Sequence, residues 1–209
     1  RINFKIALAV RERVSRRDNQ PKYLLEPEIT LLLSRGFTDL RKRMYFDVLW
    51  NTGARLSEAL ALTPDALHVG ESWPLRPYLS LLTLKQQGKP GRPPRDARRD
   101  VPLYDDTFTL RLRDHLNTFC RYRTKRIWTV SDDTLRNWLR DAVSNCNRQG
   151  IQFSVPVTPH TFRHSYAMHL LYCGADPILL KNLMGHKDFK STQIYLDVLA
   201  MEAEVAGQY

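Results

Sequence analysis

Cysteine is scarce in this chain of 209 residues: Cys120, Cys146 and Cys173 lie 26 and 27 residues apart, and no C-x-x-C pair occurs. An odd, widely spaced set excludes both a disulfide framework and a zinc ribbon, and it fits a reducing, cytoplasmic setting. Long hydrophobic runs are missing as well. The densest apolar patch, Leu79 to Leu84, falls far short of the roughly 20 residues a membrane helix needs, so a membrane-spanning role is excluded. The chain opens on Arg1 without a basic-then-apolar leader, so it reads as a fragment with a part missing upstream. Acids are in deficit, 22 against 32 Lys and Arg, for a formal charge of +10. That surplus suits a polyanionic partner, nucleic acid foremost, with an anionic membrane surface as the rival on charge alone. The 43% hydrophobic content is that of an ordinary globular protein with one large domain.

Residues 1–22 carry a net +5 with little apolar periodicity, which reads as a basic linker or arm, leaving 23–209 as the domain. Helical spacing begins near Glu28 (Ile29, Leu32, Leu33) and stops at Gly36. A second helix is expected over Asp39–Asn51 and a short third over Arg55–Leu62, halted by Pro64. Two antiparallel strands, Tyr78–Leu84 and Asp100–Leu103, flank a loop rich in Pro and Gly. Amphipathic helices follow over 106–123 and 132–148, then His160–Cys173 opened by Thr158-Pro159, then Pro177–Met184 ended by Gly185. The fold class is mainly α (α+β), a helical domain with a small antiparallel sheet.

The loop and its edges carry Lys85, Lys89, Arg92, Arg95, Arg98 and Arg99 for a net +4, either a solvated surface or a set of phosphate contacts. His160 and Arg163 stand three apart at a helix start, where both can meet one phosphate. Gly185-His186 follows, then Tyr195, while upstream Arg55 comes just after the Thr52-Gly53 turn. His160 and His164 have the i, i+4 spacing of zinc ligands, but Thr161 stands where a metalloprotease helix carries glutamate, so a metal is not expected.

Taken together, Thr52–Glu58 (T-G-A-R-L-S-E), Lys85, His160–Leu171 (H-T-F-R-H-S-Y-A-M-H-L-L), Leu183–Lys187 (L-M-G-H-K) and Thr192–Tyr195 (T-Q-I-Y) resemble, in order and spacing, the catalytic domain of the tyrosine recombinases, the phage integrase family. The resemblance covers roughly residues 24–200. It implies that Tyr195 attacks a DNA phosphodiester to leave a 3′-phosphotyrosyl bond and a free 5′-hydroxyl. It further implies that Arg55 and Arg163 grip the non-bridging oxygens, and that His160 and His186 add hydrogen bonds, His160 taking the tyrosine proton. Lys85, or alternatively Lys89, matches the general acid, and Glu58 would orient the cluster. His164 is expected to support its helix, and Tyr166 and Tyr172 to pack. No cofactor or ATP is implied, because the phosphotyrosyl ester stores the energy of the broken bond.

The implied partner is double-stranded DNA at a specific site. A homotetramer would form on synapsed DNA from chains that are monomeric when free, in the cytoplasm at the nucleoid. An upstream core-binding domain would precede residues 1–22, and the tail after Tyr195 would dock on a neighbouring protomer or on its own domain. Two other readings stay open: a type IB topoisomerase-like nick-and-reseal enzyme, and a DNA-binding regulator that no longer cuts.

Overall fold

A computed structural model describes residues 2–15, 20–69, 76–83 and 97–206. Short polar residues open most helices by accepting backbone N–H bonds at the start of the first turn. Asp39 opens α3 (Leu40–Thr52), Asp105 α5 (Asp106–Phe119), Ser131 α6 (Asp132–Arg148), Thr158 α7 (Pro159–Tyr172) and Asp176 α8 (Pro177–Met184). Gly53 ends α3 and Gly185 ends α8, both left-handed with φ near +60°, and each releases the chain into the site described below. Between α3 and the sheet lies the five-residue α4 (Leu56–Leu60), and the last described element is α9 (Lys190–Ala206). The second helix, α2 (Glu26–Leu31), runs on as a π-helical turn over Leu32–Gly36.

The expected pair of strands is present, antiparallel, as β2 (Tyr78–Thr83) and β3 (Ala97–Pro102), joined on the other side of β2 by the two-residue β1 (Leu67–His68). Leu79 pairs with Val101 and Leu81 with Arg99, so these four residues share one face. Leu79, Leu81 and Val101 are buried there, which brings Arg99 inward with them. The helix expected over 106–123 stops at Phe119, because the following basic run is captured elsewhere: Asp65 N–H donates to Arg123 O at 3.1 Å and Ile127 N–H to Leu62 O at 3.0 Å.

Within the basic stretch 1–22, expected as an arm, residues Phe4–Ser15 form helix α1. Ala7, Val10, Arg11 and Val14 recur at i, i+3, i+4 and i+7 and are all buried, a face masked in the sequence by the surrounding arginines. Arg11 is ion-paired with Glu28 and donates to Ser154 Oγ at 2.8 Å.

Two apolar clusters result. The larger joins α2, α3, α5, α6 and the sheet around Phe46, Leu49, Leu81 and Phe162. The smaller joins α1, α7, α8 and α9 around Val10, Met168, Met184 and Val198. Helix α7 is their common wall, with Phe162 on one side and Tyr166, Ala167 and Met168 on the other. Among the described residues no helix is long and apolar enough to cross a membrane.

Candidate active site

The site begins where α4 starts. The Glu58 carboxylate folds back one turn to accept the Arg55 backbone N–H at 2.8 Å, and it takes the Arg55 guanidinium at 2.8 Å as well. From β3, Arg99 meets the same carboxylate in a two-point pair, Nη1 at 2.9 Å and Nη2 at 2.7 Å, and its Nε donates to Leu183 O at 2.9 Å. Glu58 is 1% exposed. Burial pushes its pKa up, but the bonds from Arg99 and Arg55 outweigh burial and hold it below the usual range. Arg55, Thr83, Arg99, Gly185, His186, Lys187, Asp188 and Ser191 line a cleft of about 480 Å³.

Behind that cleft the Thr52-Gly53 turn and the end of α8 converge on Arg163. Its Nη1 donates to Gly53 O and its Nη2 to Met184 O, both at 2.5 Å, and the residue is 6% exposed. Burial first, then the neighbouring Arg55, pulls the guanidinium down to about 10, so it still carries its charge at neutral pH. The Gly53 turn leaves no room for a side chain, since a Cβ there would lie 2.3 Å from Tyr166 Cδ1. Tyr166 therefore packs, as expected, and the Tyr172 hydroxyl meets that of Tyr23 at 3.0 Å.

Tyr195 lies in the second turn of α9, 2% exposed. Its hydroxyl is 2.8 Å from His164 Nδ1 on α7. The His186 ring lies almost parallel to the phenol ring, 6.3 Å between centroids, and its Nδ1 is 2.9 Å from Thr192 Oγ1. Burial pushes the Tyr195 phenol up to about 12, against the pull of Arg163 and Arg55. Burial and His160 with Arg163 bring His164 down to about 4; burial and Arg163 with Arg55 do the same for His186. Both imidazoles are therefore neutral at pH 7.

Arg55, Glu58, Arg163, His186 and Tyr195 thus come together as the sequence motifs anticipate. His160 is exposed in the first turn of α7 while Arg163 is buried, so the two do not present one open face. The residue at the Tyr195 oxygen is His164, not His160. Arg99, expected among the DNA-contacting loop residues, is spent on Glu58 and Leu183 O; Arg98, beside it, is exposed. Lys85, Lys89, Arg92 and Arg95 lie outside the described residues. The placements of Arg99 and His164 differ from those the motifs suggest. A signal existed for the first: Arg99, Val101 and Leu103 alternate, and the last two are fully buried.

The family model described as the phage integrase family matches residues 98–202. A resolvase of Escherichia coli is 42% identical, covering 96% of this chain and 83% of its own length. The tyrosine recombinase XerD of Listeria monocytogenes is 31% identical over 85% of this chain and 58% of its own. A crystal structure of the XerH site-specific recombinase, bound to a palindromic difH substrate in a post-cleavage complex, superposes with a TM-score of 0.67 at 20% identity, covering 91% of this chain and 54% of that one. The resolvase match alone spans nearly the whole chain, and the fold and the motif residues agree with it: this chain belongs to the phage integrase family and is a tyrosine-type site-specific recombinase.

Proposed function

We propose that the chain cleaves and rejoins double-stranded DNA at a specific site through a covalent 3′-phosphotyrosyl bond to Tyr195, without metal or ATP. The observation that carries this is the Tyr195 hydroxyl held within the field of Arg163 and Arg55, beside two neutral imidazoles. In the reaction, negative charge concentrates on the non-bridging oxygens of the phosphate. Fixed guanidinium groups stabilise that charge more than they stabilise the ground state. Arg55 reaches the cleft with its side chain 30% exposed, and Arg163 supplies a charge that carbonyl oxygens orient without neutralising. His186 adds a hydrogen bond to the phosphate. Lys85 protonates the departing 5′ oxygen; in support, β2 ends at Thr83 on the cleft wall, two residues before it. Arg98, Lys89, Arg92 and Arg95 contact the DNA backbone, and Glu58 with Arg99 sets the position of Arg55.

The full reaction joins four chains on two synapsed duplexes, from monomers when free. In the chain by itself α9 packs in cis, with Val198 fully buried in the cluster shared with α1. The test is covalent trapping: the protein is mixed in EDTA with nicked duplexes drawn from the DNA around its own gene, then quenched in detergent. A protein–DNA adduct is expected from the wild type, and none from Tyr195→Phe. An equal adduct from the phenylalanine variant, or an adduct that needs added magnesium, would overturn the assignment.

A further inference from the structure

Two imidazoles flank Tyr195, and only one of them meets its oxygen. His186 lies over the ring and spends its Nδ1 on Thr192, whereas His164 Nδ1 is 2.8 Å from Oη. His160, the expected proton acceptor, is exposed, with its ring centroid 6.4 Å from that of His164. We propose that His164 is a catalytic residue that accepts the Tyr195 proton as the phenol oxygen attacks phosphorus. This rests on the tyrosyl-transfer reading above and adds to it the base that makes transfer feasible at neutral pH.

An Oη lone pair forms the bond to phosphorus while the Oη–H bond breaks, and its proton passes to the Nδ1 lone pair, leaving His164 an imidazolium. The bond from phosphorus to the 5′ oxygen breaks, and that oxygen takes a proton from the general acid. Religation runs the same transfers backwards. A buried phenol that resists ionisation cannot supply a free phenolate at pH 7, so a hydrogen-bonded acceptor is what the geometry offers. The His164 imidazole is neutral in the free chain, with Nδ1 open to accept when the proton sits on Nε2. The charged and titratable groups around this pair are His160 and Arg163 on α7, Arg55 at the head of α4, His186 before α9, and Arg99 on β3 beyond them. On α1, Arg11 is committed to Glu28. An incoming phosphodiester brings negative charge beside the arginines and so offsets the field that disfavours an imidazolium, raising the proton affinity of His164 when it is needed.

The experiment is single-turnover adduct formation by the full chain on the nicked duplexes, between pH 6 and 9. The wild-type rate is expected to change far less than tenfold per pH unit, because His164 takes the proton during attack and the phenol need not ionise to solvent first. His164→Ala should be slower by about 100-fold or more at pH 7. Its rate should rise about tenfold per pH unit, because the phenol must then ionise to solvent, and added imidazole should restore part of the loss. His164→Asn keeps an acceptor that cannot take up a proton, and should show the same slope without rescue. Equal or faster cleavage by both variants would make the contact a resting latch and overturn the proposal. So would a slower rate with an unchanged pH profile, or a steep profile found in His160→Ala instead. Should the alanine variant not fold, the asparagine variant reads the same profile. The ¹⁵N shift of His164 Nδ1, compared between wild type and Tyr195→Phe, then reports the hydrogen bond directly, and an unmoved shift overturns it. A wild type that forms no adduct removes the tyrosyl-transfer reading itself, an outcome distinct from all of these.

Discussion

Arg55 and Arg163, the two arginines assigned to the phosphate, are held in opposite ways. Arg55 stands at the cleft, paired with a buried carboxylate that it shares with Arg99. Arg163 lies inside and is bound by two backbone carbonyls. A carboxylate partner cancels charge, so the cleft side is a balanced network whose positions are fixed by ion pairing. Carbonyl dipoles orient a guanidinium but leave its full charge in place, so the interior side projects a positive field onto its neighbours. Burial is the main cause that keeps His164 and His186 neutral, and that field adds to it, while it opposes the rise that burial imposes on the Tyr195 phenol. One half of the site is positioned by charge compensation, and the other holds a charge without a carboxylate partner that acts, together with burial, on the protonation of its surroundings.

The largest effect is expected from a substitution on the cleft side. Glu58→Ala removes the carboxylate that Arg55 and Arg99 share and leaves Arg99 buried against a carbonyl, which should cost about 3–5 kcal/mol of stability. Glu58→Gln, which keeps one oxygen as an acceptor, should cost less, and urea unfolding of both variants checks the order. On the interior side the corresponding change is Gly53→Ala. It places a Cβ at 2.3 Å from the Tyr166 ring in a left-handed residue, for roughly 2–4 kcal/mol. Because Gly53 O anchors Arg163, adduct formation should fall further than in a variant matched to it in stability but altered in the larger cluster. A Gly53→Ala protein with wild-type cleavage would show that the carbonyl anchor does not position Arg163 for the reaction.

Much of this arrangement was legible in the sequence, for reasons that also explain the gaps. Helices α3, α6, α7 and α8 announce themselves because polar caps and glycine stops bracket a 3.6-residue apolar period. Helix α1 does not, because four of its twelve residues are charged and one of them, Arg11, is buried through a partner 17 residues away. The motif residues Arg55, Arg163, His186 and Tyr195 were found by their order along the chain, which says nothing about which side chain meets which. Arg99 reads as a DNA-contacting loop cation because it adjoins a basic loop. Only the strand register, with Leu81 opposite, turns it inward. His164 reads as a histidine that supports its helix, because His160, one turn before it, is the one that fits the family pattern. The choice between two imidazoles one turn apart depends on how α9 seats Tyr195 against α7, a tertiary fact with no local signature.

Acid should separate the two halves by a smaller margin. The folded-state values of His164 and His186, about 4, lie below the value of roughly 6.5 expected in the unfolded chain. The unfolded chain therefore binds protons first as pH falls, so the stability these residues contribute is complete above pH 6.5 and is lost progressively toward pH 4. His115 and His169, also lowered by burial, act in the same sense. Glu58, with its pKa depressed, keeps its contribution until the pH drops below the unfolded carboxylate value of about 4.3. Asp47, whose carboxyl burial raises despite Arg111 and Arg43, partly opposes the loss. Urea midpoints at pH 7.5, 6 and 5 should then show the site histidines costing on the order of 2 kcal/mol by pH 5, after allowing for solvent near His186. Glu58→Gln should reproduce that decline while His164→Gln shows a shallower one, since only the second removes a group that titrates in this window. A midpoint that holds level to pH 5 and falls only below the carboxylate range would assign the acid sensitivity to the cleft side, and would mean that burial and the field of Arg163 do not hold the two imidazoles neutral in the folded chain.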